Sequence, residues 1–203
     1  KRAAEVVVQE LNARGPTRFV TVRFGNVLDS AGSVVPLFRE QIQSGGPVTV
    51  TDPEVTRYFM TIPEACQLIM QASATGQGGE VFVLDMGEPI KISYLAEQMI
   101  RLSGKRPGED IRIEYIGLRP GEKLHERLFL DQEHLRPTAH EKLLLAQPEV
   151  VDLDLVRQRL ARLGDACDTV TEDELLDCLR DLVPEYRSEV AATVPCVSAD
   201  VAA

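Results

Sequence analysis

Residues 17–38 read TRFVTVRFGNVLDSAGSVVPLF. Thr17 to Phe24 alternates β-branched and aromatic residues with polar ones, which predicts a strand. Gly25 to Ser33 collects Gly, Asn, Asp and Ser and predicts a loop. Helical spacing resumes at Val34 and continues to Ser44, with Pro36 tolerated in the first turn. Gly45-Gly46-Pro47 ends it. A strand, a polar loop and a helix in this order are one unit of an α/β fold.

The same alternation extends both ways. Lys1 to Arg14 predicts an amphipathic helix with Ala3, Val7 and Leu11 on one face, stopped by Gly15-Pro16. Downstream, a short strand at Val48–Thr51 meets the turn Asp52-Pro53-Glu54, and Arg57–Ile62 predicts another extended piece. Pro63 is expected to start a helix reaching about Thr75. Glu80–Leu84 is apolar enough for a strand buried on both faces. Ser93 is expected to cap a helix that runs to Ser103 and stops at Gly104. Ile111–Ile116 alternates as a half-buried strand, and the turn Arg119-Pro120-Gly121 follows. Beyond Asp131 the pattern weakens to two predicted helices, Leu153–Leu163 and Thr171–Leu182, the second opened by a Thr171/Glu174 capping box. Residues 189–203 are small and unperiodic, and disorder is expected there.

The composition narrows the function classes. The chain has 203 residues, 44% hydrophobic, with a net charge of -10, enough for one sizeable core. Residues 151–203 hold 12 acidic and 5 basic side chains, against 20 and 17 in residues 1–150. Phosphate-bearing ligands therefore fit the first part and not the tail. Nothing favours nucleic acid, which calls for a basic stripe. No apolar run is long enough for a membrane span and no signal peptide opens the chain, so a cytoplasmic protein is expected. The four cysteines, Cys66, Cys167, Cys178 and Cys196, lack metal-ligand spacing. They are expected to be reduced, with Cys66 in the core beside Ala65, Leu68 and Ile69, and no metal is expected. The chain carries neither a Gly-x-Gly-x-x-Gly loop nor a Walker lysine loop. It also opens in mid-helix, as the back part of a longer protein would.

The polar residues point to a ligand. Arg57 lies on an extended piece, Asn26 on the loop after the first strand, and Arg119 and Glu122 three apart on a Pro-Gly turn. Guanidinium forks match phosphate oxygens, an amide donates, and a carboxylate accepts from sugar hydroxyls. The set suits a diphosphate with an attached ribose. The loop Asp29–Ser33 could close over such a ligand. Val35 and Pro36, with Val34, could floor its base or simply start a helix. His125, a lone histidine beside these residues, is expected to be structural or solvent-facing.

Several segments, in order, resemble one family. They are Lys1-Arg2-Ala3-Ala4-Glu5, Arg23-Phe24-Gly25-Asn26-Val27-Leu28, Gly32-Ser33-Val34-Val35-Pro36-Leu37-Phe38, Thr51-Asp52-Pro53, Thr56-Arg57-Tyr58-Phe59-Met60 and Arg119-Pro120-Gly121-Glu122-Lys123-Leu124-His125-Glu126. From Lys1 to about Leu130 the chain resembles the C-terminal part of the CapD-like polysaccharide biosynthesis proteins, extended short-chain dehydrogenase/reductases that include UDP-N-acetylglucosamine 4,6-dehydratases. The resemblance implies residues 1–130 as the end of a Rossmann domain plus a nucleotide-sugar-binding region. Residues 131–188 would follow as a helical appendage.

The resemblance also implies residue roles. Lys1 would be the catalytic lysine that bonds nicotinamide-ribose hydroxyls and tunes a neighbouring acid–base group. Asn26, Arg57 and Arg119 would hold the diphosphate, Val35 and Pro36 the uracil, and Glu122 the ribose. The family's reaction uses bound NAD or NADP to take hydride from sugar C4; water then leaves across C5–C6 and hydride returns to C6. The cofactor loop lies upstream in the family, so this chain alone is not expected to turn over. A possible homo-oligomer, a membrane anchor in the parent, a related epimerase and a non-catalytic UDP-sugar-binding module remain open at this level.

Overall fold

In the computed structural model, residues 1–129, 133–147, 152–167 and 171–186 are described. The disorder expected at 189–203 lies outside them. The elements run α1 (Arg2–Arg14), β1 (Thr21–Arg23), β2 (Asn26–Val27), α2 (Val34–Gln43), β3 (Val48–Val50), β4 (Thr56–Arg57), β5 (Phe59–Met60) and α3 (Ile62–Thr75). They continue with β6 (Val81–Leu84), β7 (Ile90–Lys91), α4 (Ile92–Leu102), β8 (Ile113–Tyr115), β9 (Leu135–Pro137), β10 (Leu143–Ala146), α5 (Leu153–Ala166) and α6 (Glu172–Leu182).

One sheet has the order β1-β6-β10-β9. Strands β1 and β6 are parallel, with Thr21 opposite Val81 and Arg23 opposite Val83; β10 runs antiparallel to both β6 and β9. All four residues of β6 are buried, which is why its sequence is a continuous apolar run rather than an alternating one. Phe82 and Leu84 face a cluster with Met60, Ala65, Ala72 and Leu143, while Val81 and Val83 face Ala146, Leu128, Leu135 and Leu144 on the other side.

A second core lies around the parallel pair β3–β8. Phe38 and Ile42 of α2 and Ile92, Ala96 and Ile100 of α4 pack there on Val48, Val50, Val55 and Ile111. Spacings of four residues place each helix's apolar side chains on one face. A third cluster joins Val6 of α1 to Val156, Leu182 and Val183. Two further ladders, β2 with β5 (parallel) and β4 with β7 (antiparallel), tie the first two cores together.

Several boundaries differ from expectation. The expected loop at Gly25–Ser33 contains β2, because Asn26 N–H donates to the Tyr58 carbonyl at 2.8 Å. Only Gly fits immediately before it: a Cβ on Gly25 would lie 2.7 Å from Tyr58 Cβ and 2.9 Å from Tyr58 O. Helix α3 starts at Ile62, capped by Thr61 in a capping box with Glu64, so Pro63 falls within its first turn. Lys91, not Ser93, is the N-cap residue of α4; the Ser93 hydroxyl donates instead to the Pro53 carbonyl at 3.2 Å. The helical appendage is helical only from Leu153 onward, since β9 and β10 extend the main sheet. The capping box expected at Thr171/Glu174 is present.

Two side-chain expectations fail. Cys66 is exposed, because α3 turns Ala65 and Ala72 toward the sheet. Leu11 is also exposed, and α1 buries Glu5, Val6 and Glu10 instead of an Ala3–Val7–Leu11 face. Glu5 and Glu10 accept from Arg23, Arg14 and Arg157, which makes a charged helix face compatible with burial.

Candidate nucleotide-sugar site

Arg57 sits where β4 meets the segment after the Arg119-Pro120-Gly121 turn. Thr56 N–H donates to the Leu124 carbonyl at 3.0 Å, and Thr56 forms a bridge with His125. The half-buried guanidinium is tied down on three sides. Its Nη1 donates to the carbonyls of Thr56 at 2.7 Å and Leu124 at 3.2 Å. Its Nη2 donates to Glu122 Oε1 at 3.1 Å, and its Nε lies 3.5 Å from Glu126 Oε1.

Glu122 is the hub of the cluster. Oε1 also accepts from the Thr51 hydroxyl at 3.1 Å, while Oε2 accepts from Arg119 N–H and Arg119 Nε, each at 3.3 Å. Gly121 makes the geometry possible with a φ of 76°, which lets the turn bring Glu122 back under Arg119. Arg119 itself is 77% exposed, against 12% for Arg57. The pair thus consists of one fixed and one open guanidinium.

Burial alone would raise the Glu122 carboxyl, but the Arg119 N–H, the Thr51 hydroxyl and the Arg119 guanidinium outweigh it and hold the group below its usual 4.5. A carboxyl depressed in the folded state contributes stability at pH values above the ordinary glutamate value, and the contribution is lost as pH falls through the lower folded value. Glu122→Gln should therefore melt with a weaker acid dependence than the parent chain between about pH 5 and 3. Thermal melts across that range, compared between the two proteins, check it; parallel curves would contradict it.

The structure brings Arg57, Arg119 and Glu122 into one cluster. Asn26 lies on the adjoining β2–β5 ladder, opposite Phe59 and two residues along from Arg57. Val34 packs on the same apolar cluster as Leu124 and Phe59, so the first turn of α2, with Val35 and Pro36, is anchored to the core under the site. Lys1 stands apart, exposed at the N-cap of α1 with no side-chain cap bond.

Other residues belong to the site that were not singled out for a role. Thr51 and Glu126 hold Glu122 and Arg57; Thr51 opens the Thr51-Asp52-Pro53 segment and Glu126 closes the one that starts at Arg119. Ser33 caps α2, yet its Oγ is buried without a partner. His125 is exposed and shares a 2.8 Å hydrogen bond with the Thr56 hydroxyl, which fits its expected structural role.

Parallel strands β1 and β6 with a helix in the crossover between them are the arrangement of a Rossmann-type α/β protein. The chain belongs to the polysaccharide biosynthesis protein family, whose model matches residues 1–148. It is 62% identical over 144 residues to the capsular polysaccharide biosynthesis protein CapD of Staphylococcus aureus, covering 70% of this chain and 24% of that protein. The chain thus spans about a quarter of that relative's length. Among solved structures it is similar to Pen from Bacillus thuringiensis, with a TM-score of 0.63 and 31% identity over 80% of this chain and 56% of the other. A dTDP-glucose 4,6-dehydratase from Streptomyces venezuelae, solved with NAD bound, gives a TM-score of 0.56 at 19% identity, covering 64% of this chain and 40% of the other. The fold is that of the extended short-chain dehydrogenase/reductases. Among the described residues, no helix is long and apolar enough to cross a membrane.

Proposed function

We propose that this chain grips the nucleotide-sugar of a UDP-N-acetylglucosamine 4,6-dehydratase acting in capsule-type polysaccharide synthesis. The observation that carries the reading is the Arg57–Glu122–Arg119 cluster, with two guanidiniums converging on one carboxylate held by Thr51. Arg57 and Arg119 bind the diphosphate, Glu122 accepts from the ribose hydroxyls, and Asn26 donates to a phosphate oxygen. The start of α2, with Ser33, Val35 and Pro36, faces the uridine diphosphate. The family membership and the 62% identity to a capsular polysaccharide protein support the pathway.

The residues described do not build a cradle for NAD or NADP. The sequence carries no Gly-x-Gly-x-x-Gly loop between a strand and a helix. Lys1 alone, exposed on α1, corresponds to a cofactor contact. No step of the proposed role passes through the cofactor; these residues bind and orient the substrate.

The test is a product assay on a clone that joins residues 1–203 to the coding sequence upstream. UDP-N-acetylglucosamine should be converted to a 4-keto-6-deoxy sugar nucleotide, detected by mass spectrometry as loss of one water. Recovery of a C4 epimer of unchanged mass would overturn the dehydratase assignment in favour of an epimerase. Binding of substrate with no product would leave a UDP-sugar-binding module.

A further inference from the structure

A count of the donors on Arg57 exposes a conflict within the site. An arginine has five N–H groups. Two on Nη1 are committed to the Thr56 and Leu124 carbonyls, one on Nη2 goes to Glu122, and Nε faces Glu126. A single N–H on Nη2 remains. Bidentate phosphate binding needs two parallel donors, so this guanidinium meets a diphosphate as a fork only after a carboxylate has left it. Glu122 also occupies Nε of Arg119, the other phosphate-facing arginine.

We propose that Glu122 makes the site select nucleoside diphosphates over free diphosphate groups by holding both arginines until a ribose takes the carboxylate away. The inference rests on the diphosphate–ribose reading of the cluster. A ligand with adjacent ribose hydroxyls offers Glu122 replacement donors, and its phosphates then inherit the freed N–H groups of Arg57 and Arg119. To engage the Arg57 fork, a bare diphosphate must displace a carboxylate that receives nothing in exchange and stays close by, half-buried and like-charged. Thr51 holds the closed state, because its hydroxyl donates to the same Oε1 that meets Arg57. Glu126 is the graded comparison, since it meets Arg57 but not Arg119. It is a second carboxylate beside Arg57, more exposed at 35%, against 15% for Glu122, and at a looser 3.5 Å.

The experiment is calorimetric titration of the 203-residue chain with UDP and with inorganic pyrophosphate at neutral pH. The proteins are the parent, Glu122→Gln, Glu122→Asp and Glu126→Gln, each first shown to melt cooperatively. The parent should prefer UDP over pyrophosphate by about a hundredfold or more. Glu122→Gln should bind pyrophosphate about tenfold more tightly than the parent and UDP more weakly. Glu126→Gln frees Nε of Arg57 and leaves Glu122 on both arginines, so it should tighten pyrophosphate binding by clearly less than Glu122→Gln does, about threefold at most. If Glu122→Gln does not fold, Glu122→Asp serves, because a carboxylate one methylene shorter cannot span both guanidiniums and should shift the same way by less. No UDP binding by the parent would overturn the site reading itself. UDP binding with unchanged pyrophosphate affinity in the Glu122 variants would overturn the selection alone. An equal gain in Glu122→Gln and Glu126→Gln would also overturn it, reducing the effect to net charge.

Discussion

Arg57→Ala is expected to lower the affinity of the chain for UDP by about a hundredfold or more, a loss of roughly 3 kcal/mol. Two contributions add. The diphosphate loses its one fixed guanidinium, which is 12% exposed and pre-positioned by the Thr56 and Leu124 carbonyls. The carboxylates of Glu122 and Glu126 also lose their shared counter-charge and repel the incoming phosphates. Arg57→Lys should recover only part of the affinity, because an ammonium cannot serve two carbonyls and a carboxylate in one plane. Arg119→Ala should cost less, since that side chain is 77% exposed and its ion pair is screened. Titration calorimetry with UDP ranks the three variants; an Arg57→Ala chain that binds like its parent would contradict the assignment.

Arg23→Met is expected to destabilise the fold by about 3–5 kcal/mol. The Arg23 guanidinium is forked between two carboxylates. Nε and Nη2 donate to Glu5 at 2.7 and 2.6 Å, and Nη1 and Nη2 donate to Glu133 at 2.6 and 2.8 Å. The side chains of Glu5 and Glu133 are only 8% and 4% exposed. Arg2 approaches Glu5 as well and donates to Glu185 at 2.8 Å. Burial works against the charge on Arg23, but the bonds to Glu5 and Glu133 outweigh it and raise its pKa above the usual arginine value. Removing the arginine takes away the counter-charge that the buried carboxylates of Glu5 and Glu133 share, with Arg2 still beside Glu5. The network also joins α1 to the end of β1, three residues before Asn26, so its loss should reach the site. Urea denaturation of both proteins measures the difference, and a change under about 1 kcal/mol would show that the two carboxylates find other partners.

Much of this architecture is legible in the chain because local chemistry and tertiary packing agree. The continuous apolar run of β6, the spacing of Phe38 and Ile42 on α2, and the Thr171/Glu174 cap each have one favourable solution, and the fold adopts it. The misreadings occur where a partner distant in sequence decides the outcome. Asn26–Val27 reads as loop because its strand character comes from β5, more than thirty residues away. Strands β9 and β10 lie in weakly patterned sequence and owe their form to pairing with β6. Helix α1 has an apolar stripe on paper, yet Glu5 and Glu10 are buried beside Val6, since arginines from β1 and α5 meet them there.

The candidate site divides the same way. Arg57, Arg119 and Glu122 are recognisable as residue types on a turn and a strand edge. That Glu122 touches both arginines, and that Thr51 holds it there, follows only from the β3–β4 segment folding against the turn.

The central claim is that this cluster holds a uridine diphosphate, and a crystal structure of the chain with UDP-N-acetylglucosamine tests it most directly. The account expects phosphate oxygens on the Arg57 guanidinium, ribose hydroxyls on Glu122, and the Arg57–Glu122 contact broken. A nucleotide bound elsewhere would contradict it, while one bound here with the Arg57–Glu122 pair still at its present 3.1 Å would contradict the selection by Glu122 alone.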